Sequence, residues 1–297
     1  ICTGFRWSVP QCDTRHSTCY HFSLSLILKG NKMISKAVTT VLLSGFVAGI
    51  LVTGAQMLKV TPLILQAEKF EVGTEVLPHT HQQSEITHEH ELNVVALNVH
   101  VSMKDAHAVE AVSVDHSDES WLPEDGAERT FYTGISNIVT GIAFSLMLVA
   151  VYLLRGKPVN MNSGLLWGAA GFLIFSGSPA LGLSPELPGM TAAALYARQT
   201  WWIGTVIATA IGIGLFTETK TILSKVAAVL LMSAPHLIGA PHPLLFESNV
   251  PAELSAQFVI ASLFTSAFFW MVLGASTGYF YQKLVPKTTE SLTTASA

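Results

Sequence analysis

Long apolar runs separated by short charged connections dominate the hydrophobic pattern of this chain. Crossing a hydrocarbon core about 30 Å thick takes about 20 helical residues. Six runs bounded by charges have about this length, and they cover residues 37–58, 133–154, 164–183, 199–217, 226–246 and 254–281. The pattern predicts an all-α polytopic membrane protein with about six transmembrane helices.

Three of these runs contain glycines spaced four residues apart, a spacing that lets helix backbones approach closely in lipid. The alternative is that glycine is simply common in membrane helices, and the spacing alone leaves both interpretations open. The pairs are Gly45/Gly49, Gly164/Gly168 and Gly274/Gly278.

The fifth run is interrupted by prolines and a glycine, in the string Ser233-Ala-Pro-His-Leu-Ile-Gly-Ala-Pro-His-Pro243. Proline breaks helices, and a broken helix at membrane depth is tolerated only inside protein or beside a watery cavity. Ionisable groups in such places are functional candidates. Helical counting from Lys225 places His236 about 15 Å into the bilayer, with His242 nearer the outer face.

We therefore interpret His236 and His242 as two steps on the path of a metal cation, with Met232 one turn before His236. The alternative is that the Pro-His pairs merely end a helix and that both imidazoles bond to backbone carbonyls. The residues alone favour neither interpretation.

Charge supports the membrane assignment and sets a topology. Only 12% of the residues are charged, against about 25% in an ordinary soluble domain. If all six runs cross, every basic cluster falls on one side, which the positive-inside rule assigns to the cytoplasm. We expect a multi-pass membrane protein with both termini cytoplasmic. A re-entrant fifth run would instead leave Lys283 and Lys287 outside.

The segments outside the apolar runs have distinct characters. Residues 1–32 are polar, hold all three cysteines and precede Met33, so we expect a disordered, non-native upstream extension before a first transmembrane helix at 33–58. Residues 133–283 would hold helices two to six, and 284–297 a cytoplasmic tail. No Gly-x-x-x-x-Gly-Lys-Ser/Thr motif occurs, which argues against an ATPase acting on its own.

Residues 59–132 form the large predicted external loop, with fourteen acidic and four basic residues. Seven histidines lie here, and imidazole with carboxylate suits divalent cobalt, nickel, zinc and copper. The acidic field would also concentrate cations near the membrane. We expect metal capture by two His-x-His pairs and one further histidine, namely His79, His81, His88, His90 and His116.

The same loop has a simpler interpretation, as a solvated acidic segment with incidental histidines. A metalloprotease site is disfavoured, because the zinc helix needs His-Glu-x-x-His and His88 and His90 are only two residues apart.

Several strings occur in the order typical of one family. They are Gln56 with Pro62-Leu-Ile-Leu-Gln-Ala-Glu68, then Trp121-Leu-Pro-Glu-Asp-Gly-Ala-Glu-Arg-Thr130, Gly164-Leu-Leu-Trp-Gly168, Pro179-Ala-Leu-Gly-Leu-Ser-Pro-Glu-Leu-Pro-Gly189, Ala197-Arg-Gln-Thr-Trp-Trp202, Pro235-His-Leu-Ile-Gly-Ala-Pro-His-Pro243 and Val250-Pro-Ala-Glu-Leu254. Between Met33 and about Lys283 the sequence resembles the CbtA family of cobalt transporter subunits. Residues 1–32 have no counterpart in that family.

The resemblance implies an inner-membrane protein of cobalt uptake for cobalamin synthesis, working beside CbtB, a small one-helix partner with its own histidine motif. We therefore expect a membrane protein surrounded by lipid that is not an enzyme, has no bound cofactor and no nucleic-acid partner, and carries a divalent cation, cobalt. The alternatives are a non-transporting metal-binding, sensor or assembly subunit, or transport of nickel, which imidazole and carboxylate ligands also accept.

Overall fold

The computed structural model describes residues 16–75, 123–124, 126–243 and 248–285, with side chains from residue 32 onward and not for residues 71–75. Every regular element in these ranges is helical, so the all-α prediction is confirmed. The helices are α1 (His16–Lys59), α2 (Thr61–Glu75), α3 (Ala127–Arg155), α4 (Met161–Phe172), a π segment (Leu173–Gly177), α5 (Ser178–Ala180), α6 (Leu195–Glu218), α7 (Ile222–Ile238) and α8 (Ala252–Leu284).

Four helices are long and apolar enough to cross a membrane, and the chain is a polytopic membrane protein. They are Lys32–Lys59 within α1, Ala127–Arg155, Leu195–Glu218 and Ala252–Leu284. Their outward surfaces carry many exposed large hydrophobic side chains. A helix with such a surface requires a lipid or protein neighbour in place of water.

The third and fifth runs are helical in a less regular way. Helix α4, the π segment and α5 follow one another without a break from Met161 to Ala180, a path of about 30 Å at 1.5 Å per residue. Helix α7 has 17 residues, or about 25 Å. It continues through Pro235 and ends at Gly239, whose φ of 90° is outside the helical range.

The fifth run is therefore broken, as predicted, but its helix covers only the first part of residues 226–246. The break comes at the glycine and not at the first proline. Residues 239–243 are described and are not helical, and 244–247 lie outside the described residues.

Glycines bring α1 against α3. A Cβ added to Gly45 would overlap the backbone of Ile142, and one added to Gly49 would overlap the backbone of Ile138. Because the α3 number falls as the α1 number rises, the two helices are antiparallel. The contact has no room for even a methyl group, so these glycines set the distance between the helices.

Glycines also bring α4 against α8. A Cβ on Gly164 would meet the carbonyl oxygen of Gly274, and one on Gly168 would meet that of Trp270. A Cβ on Gly278 would meet the carbonyl of Asn160, so this pair is antiparallel too. All three glycine pairs noted in the sequence lie in helix contacts, which favours the packing interpretation that the spacing alone left open.

Successive spanning helices alternate in direction. Trp201 of α6 donates to the Pro235 carbonyl of α7, and Gly212 faces Ala228 and Met232, so α7 runs back along α6. Ala37 of α1 and Tyr281 of α8 belong to one packed cluster. The start of the spanning part of α1 and the end of α8 therefore lie at the same end of the bundle.

Two ends of the bundle can thus be named. We call one the basic end, because it carries Lys36, Arg155, Lys157, Lys220, Lys225 and Lys283. Ion pairs from Glu218 to Arg155 and Lys157 join α6 to α3 there, at 2.5 and 3.7 Å. The loop end is opposite, where α2 follows α1 and α3 begins. This alternation fits six crossings.

Two segments are helical where the sequence predicted no helix. Residues 16–32, expected to be disordered, are described as helix within α1, while 1–15 lie outside the described residues. The external loop begins with helix α2, whose Ala67 packs with Leu254 and Phe258 of α8. Residues 76–122 and 286–297 also lie outside the described residues. The upstream-extension, external-loop and tail assignments therefore stay predictions.

Candidate metal path

The imidazole of His236 is held among three helices near the loop end. Its Nε2 lies 3.2 Å from Oγ of Ser178 on α5, and its ring meets that of Trp201 edge to face, with centroids 5.8 Å apart. The side chain is half-buried. It is therefore fixed in direction by polar and aromatic partners and is still partly accessible.

The position of Ser178 follows from a local change in helix geometry. The Ser178 N–H donates to the Leu173 carbonyl five residues earlier, which is the π-helical pattern. Proline lacks an N–H and clashes with the carbonyl four residues before it. The π turn just ahead of Pro179 widens the helix where a regular turn would clash. Such single π turns frequently occur at functional sites.

Ser178 also joins this cluster to α6. The Thr209 hydroxyl donates to Ser178 Oγ over 3.0 Å, and the Trp201 indole donates to the Pro235 carbonyl over 3.2 Å. These contacts connect α5, α6 and α7 next to the break after α7. Met232, one turn before His236, packs against Gly212 and lines a cavity of about 440 Å³ with Ser178 and Thr209.

His242 lies in the non-helical stretch after α7 and is exposed. The break at Gly239 thus separates a half-buried imidazole on the helix from an exposed one beyond it. Among the described residues, no group of three or more His, Cys, Asp or Glu side chains is arranged to hold a metal ion. The described part of the path therefore offers single imidazoles rather than a closed metal site.

The remaining predicted ligands lie outside the described residues. They are His79, His81, His88, His90 and His116, all within 76–122. The arrangement of the capture loop stays a prediction.

A separate cavity of about 360 Å³, the central cavity, lies between α1, α3, the π segment, α6 and α8. On one wall Asn137 donates to Gln56 over 2.6 Å and to Thr53 over 3.0 Å. On another wall the Ser266 hydroxyl donates to Ser176 over 2.7 Å. The polar lining contains amides and hydroxyls and, among the described residues, no charged side chain.

Three aromatic rings line the central cavity on the side toward the basic end. Phe175 stacks on Trp270 with centroids 5.5 Å apart and an interplanar angle of 10°. Phe144 lies 4.8 Å from Trp270 and 5.2 Å from Phe175. We call Phe144, Phe175 and Trp270 the aromatic floor. Phe175 also lines a cavity of about 500 Å³ whose walls reach Arg155 and Glu218.

The sequence matches one known protein family. A family model described as "Probable cobalt transporter subunit (CbtA)" matches residues 34–282. The chain belongs to the CbtA family. No curated protein and no solved structure matches it. Family membership supports a cobalt transporter subunit as the general function, and the word subunit implies a partner.

The CbtA match begins at residue 34 and ends at 282, so it contains every side-chain hydrogen bond described above. His236 was identifiable from the sequence, whereas Ser178, Thr209 and the Ser176–Ser266 pair were missed. Serine and threonine are ordinary in membrane helices, so nothing in their spacing marks them. The one available signal was Pro179, since a proline inside an apolar run indicates a local change in helix geometry.

Proposed function

We propose that this protein is the membrane subunit that admits a divalent cation, cobalt, into the cell. The acidic His-rich loop captures the ion outside, with His79, His81, His88, His90 and His116 as ligands. The ion then passes His242 and His236 at the loop end of the bundle. The protein acts as a carrier of its cargo and not as an enzyme, and it binds no further cofactor.

The observation that carries the proposal is the environment of His236. The half-buried imidazole is oriented by Ser178 and Trp201 at the level where α7 ends. A single borderline ligand beside an unwound segment suits brief contact with a passing ion better than tight storage. The exposed His242 just beyond the break supplies the preceding contact.

The inner membrane and cytoplasmic termini form part of the same proposal. Ala37, near the start of the membrane-spanning part of α1, packs in one cluster with Tyr281 near the end of α8. The basic end carries the clusters that the positive-inside rule assigns to the cytoplasm. The membrane potential would then draw a divalent ion inward with about 4.6 kcal/mol per 100 mV. A one-helix partner of the CbtB type is proposed from the family's character as a subunit.

The competing function is a membrane-bound metal sensor or assembly subunit that binds metal without moving it. The described residues contain no group of three metal ligands. A subunit whose partner completes the metal path would have the same feature. Nickel is the competing cargo, because imidazole and carboxylate ligands accept both ions.

Uptake of radioactive cobalt into vesicles containing the purified chain, with and without its partner, tests the proposal. His236→Ala should abolish uptake while the amount of protein in the membrane stays the same. His242→Ala should reduce it. Cobalt bound by the wild-type chain without any flux in either preparation would favour the sensor function, and unchanged uptake by His236→Ala would reject the path. Unlabelled nickel added as a competitor identifies the cargo.

A further inference from the structure

We infer that the cation waits in the central cavity as its complete aqua ion, held through its water molecules by amide and hydroxyl oxygens. The inference rests on the proposed function, because it assigns a resting place to the same cargo. It adds a binding site of a different chemical type from the imidazole path.

The size of the central cavity fits a hydrated ion. A water molecule occupies about 30 Å³ in the liquid, so an ion with six waters needs roughly 200 Å³. The cavity has about 360 Å³. Its volume therefore exceeds that of one hexahydrated divalent ion.

The lining favours an ion that keeps its water. Stripping a divalent ion of its waters is costly, and a few neutral amides and hydroxyls, without carboxylate or imidazole, compensate poorly for the loss. The central cavity instead presents neutral oxygens, which accept hydrogen bonds from coordinated waters. Seven polar side chains supply them: Gln56, Asn137, Thr140, Ser176, Ser262, Thr265 and Ser266.

Several of these groups have bonding capacity to spare. Both hydrogen bonds of the Asn137 side chain come from its Nδ2, so its Oδ1 remains as an acceptor. Within the described part of the chain, the hydroxyls of Ser262 and Thr265 make no hydrogen bond, although both line the cavity. Buried polar groups are normally bonded to protein or to water. Unused hydroxyls facing a cavity thus indicate a wet site.

The central cavity is accessible from the loop end. It shares Ser176, Ser262 and Ser266 with a neighbouring cavity of about 830 Å³. That outer cavity is lined in turn by Glu186 and Arg198, which form an ion pair of 3.0 Å. The central cavity also lies close to the imidazole path. Ser176 of the π segment lines the cavity, and Ser178, two residues later at the start of α5, contacts His236.

The aromatic floor explains why the ion would stop there. Phe144 and Trp270 each lie one turn toward the basic end from a polar lining residue, Thr140 and Ser266 respectively. The three rings pack against one another on this side of the cavity, and closely packed apolar side chains resist the passage of water and ions. The hydrated ion is therefore held on the loop-end side of Phe175.

A direct consequence concerns selectivity. Hydrogen bonds to coordinated waters do not distinguish one hexahydrated divalent ion from another, so the central cavity should also accept magnesium. Discrimination among metals would belong to the imidazoles, which bind the metal itself. The two sites therefore have separable ligand preferences.

Cobalt(III) hexaammine tests the inference, because its six ligands do not exchange and it copies the shape of an aqua ion. We expect it to bind the purified full-length chain in lipid nanodiscs, measured by equilibrium dialysis, with magnesium as a competitor. Ser262→Asp should tighten binding roughly tenfold, since it adds a carboxylate beside a trivalent ion. The double variant Ser262→Ala/Ser266→Ala should weaken it several-fold.

Ser276→Ala is the matched control, because its hydroxyl lies on the same helix and bonds to the α8 carbonyls of Val272 and Leu273. It should bind the probe like the wild type. Melting temperature shows whether each variant is folded, and Ser262→Asp removes no hydrogen bond between described residues.

The outcomes separate this inference from the proposed function. Binding of the probe that is unaffected by Ser262→Asp overturns the site, and so does no binding at all. Cobalt uptake by the wild type with no binding of the probe would leave the proposed function in place and reject the aqua-ion site. Probe binding that tightens in Ser262→Asp and weakens in the double alanine variant, with no cobalt uptake, would support the site and reject transport by this chain.

Discussion

Ser178 Oγ and His236 Nε2 lie 3.2 Å apart, although 58 positions separate the two residues in the chain. The contact depends on a π turn on one helix and on a break after another, and it gives a lone imidazole a defined direction. Its consequence for transport can be measured.

Ser178→Ala should raise the cobalt concentration for half-maximal uptake several-fold without abolishing uptake. The imidazole of His236 would remain on the path but would lose the partner that orients it. Uptake at a series of cobalt concentrations, at matched protein levels, measures the change. Ser224→Ala is the control, since its hydroxyl pairs with Thr221 at the start of α7, and it should behave like the wild type. An unchanged half-maximal concentration in Ser178→Ala would mean that Ser178 does not position His236.

Gly274→Ala should lower the stability of the bundle by about 1–3 kcal/mol, the usual cost of overpacking. The new methyl group would overlap the Gly164 carbonyl oxygen and the Gly168 backbone, so α4 and α8 would have to separate. Thermal unfolding in detergent measures the loss. Gly204→Ala should leave the melting temperature unchanged or raise it, because nothing lies within 4 Å of its added Cβ and alanine favours helix. Equal effects of the two substitutions would contradict the packing argument.

Pro179→Ala should impair uptake while leaving the protein at least as stable. The new N–H allows the π turn to relax toward a regular α-helix, which would move Ser176 and Ser178 away from their partners. Cobalt uptake and melting temperature, measured together, show the two effects.

Pro251→Ala is the control for this substitution. Pro251 is the N-cap of α8 with φ of −56°, where a missing N–H costs little, so uptake should be normal. Normal uptake in Pro179→Ala as well would show that the π turn is not needed for the path.

Single cysteines test the direction of the crossings. In a chain whose native Cys2, Cys12 and Cys19 are replaced by serine, a membrane-impermeant maleimide should label Ser248→Cys in intact cells. It should label Thr221→Cys only after the membrane is opened. Both residues are exposed. Thr221 lies just before helix α7 and Ser248 lies after it. Labelling of both from outside would mean that α7 does not cross.

Replacing His79, His81, His88 and His90 with alanine should raise the half-maximal cobalt concentration while leaving the maximal rate unchanged. Capture by a loop increases the local ion concentration, which matters only when cobalt is scarce. His100→Ala/His107→Ala is the control, because it removes two loop histidines that belong to neither His-x-His pair. A lower maximal rate with no change in half-maximal concentration would contradict a capture role.

Much of the architecture was predictable because each part of it depends on local sequence. Apolar length indicated the spanning helices, the string around Gly239 indicated the break after α7, and the glycine spacing indicated the close helix contacts. The bilayer makes this possible, since every backbone group in lipid must be bonded within its own helix. Helix ends were less predictable. Helix α7 ends at Ile238, well before the apolar run does.

The sequence by itself determined the membrane class, the family and the two histidines beside the helix break. Only the tertiary structure decided which neutral side chains meet: Ser178 with His236, Ser266 with Ser176, and Asn137 with Gln56. Hydroxyls and amides are too common in membrane helices to be recognised from their spacing. They acquire a role only when antiparallel packing, set by glycines, brings distant helices within hydrogen-bond distance.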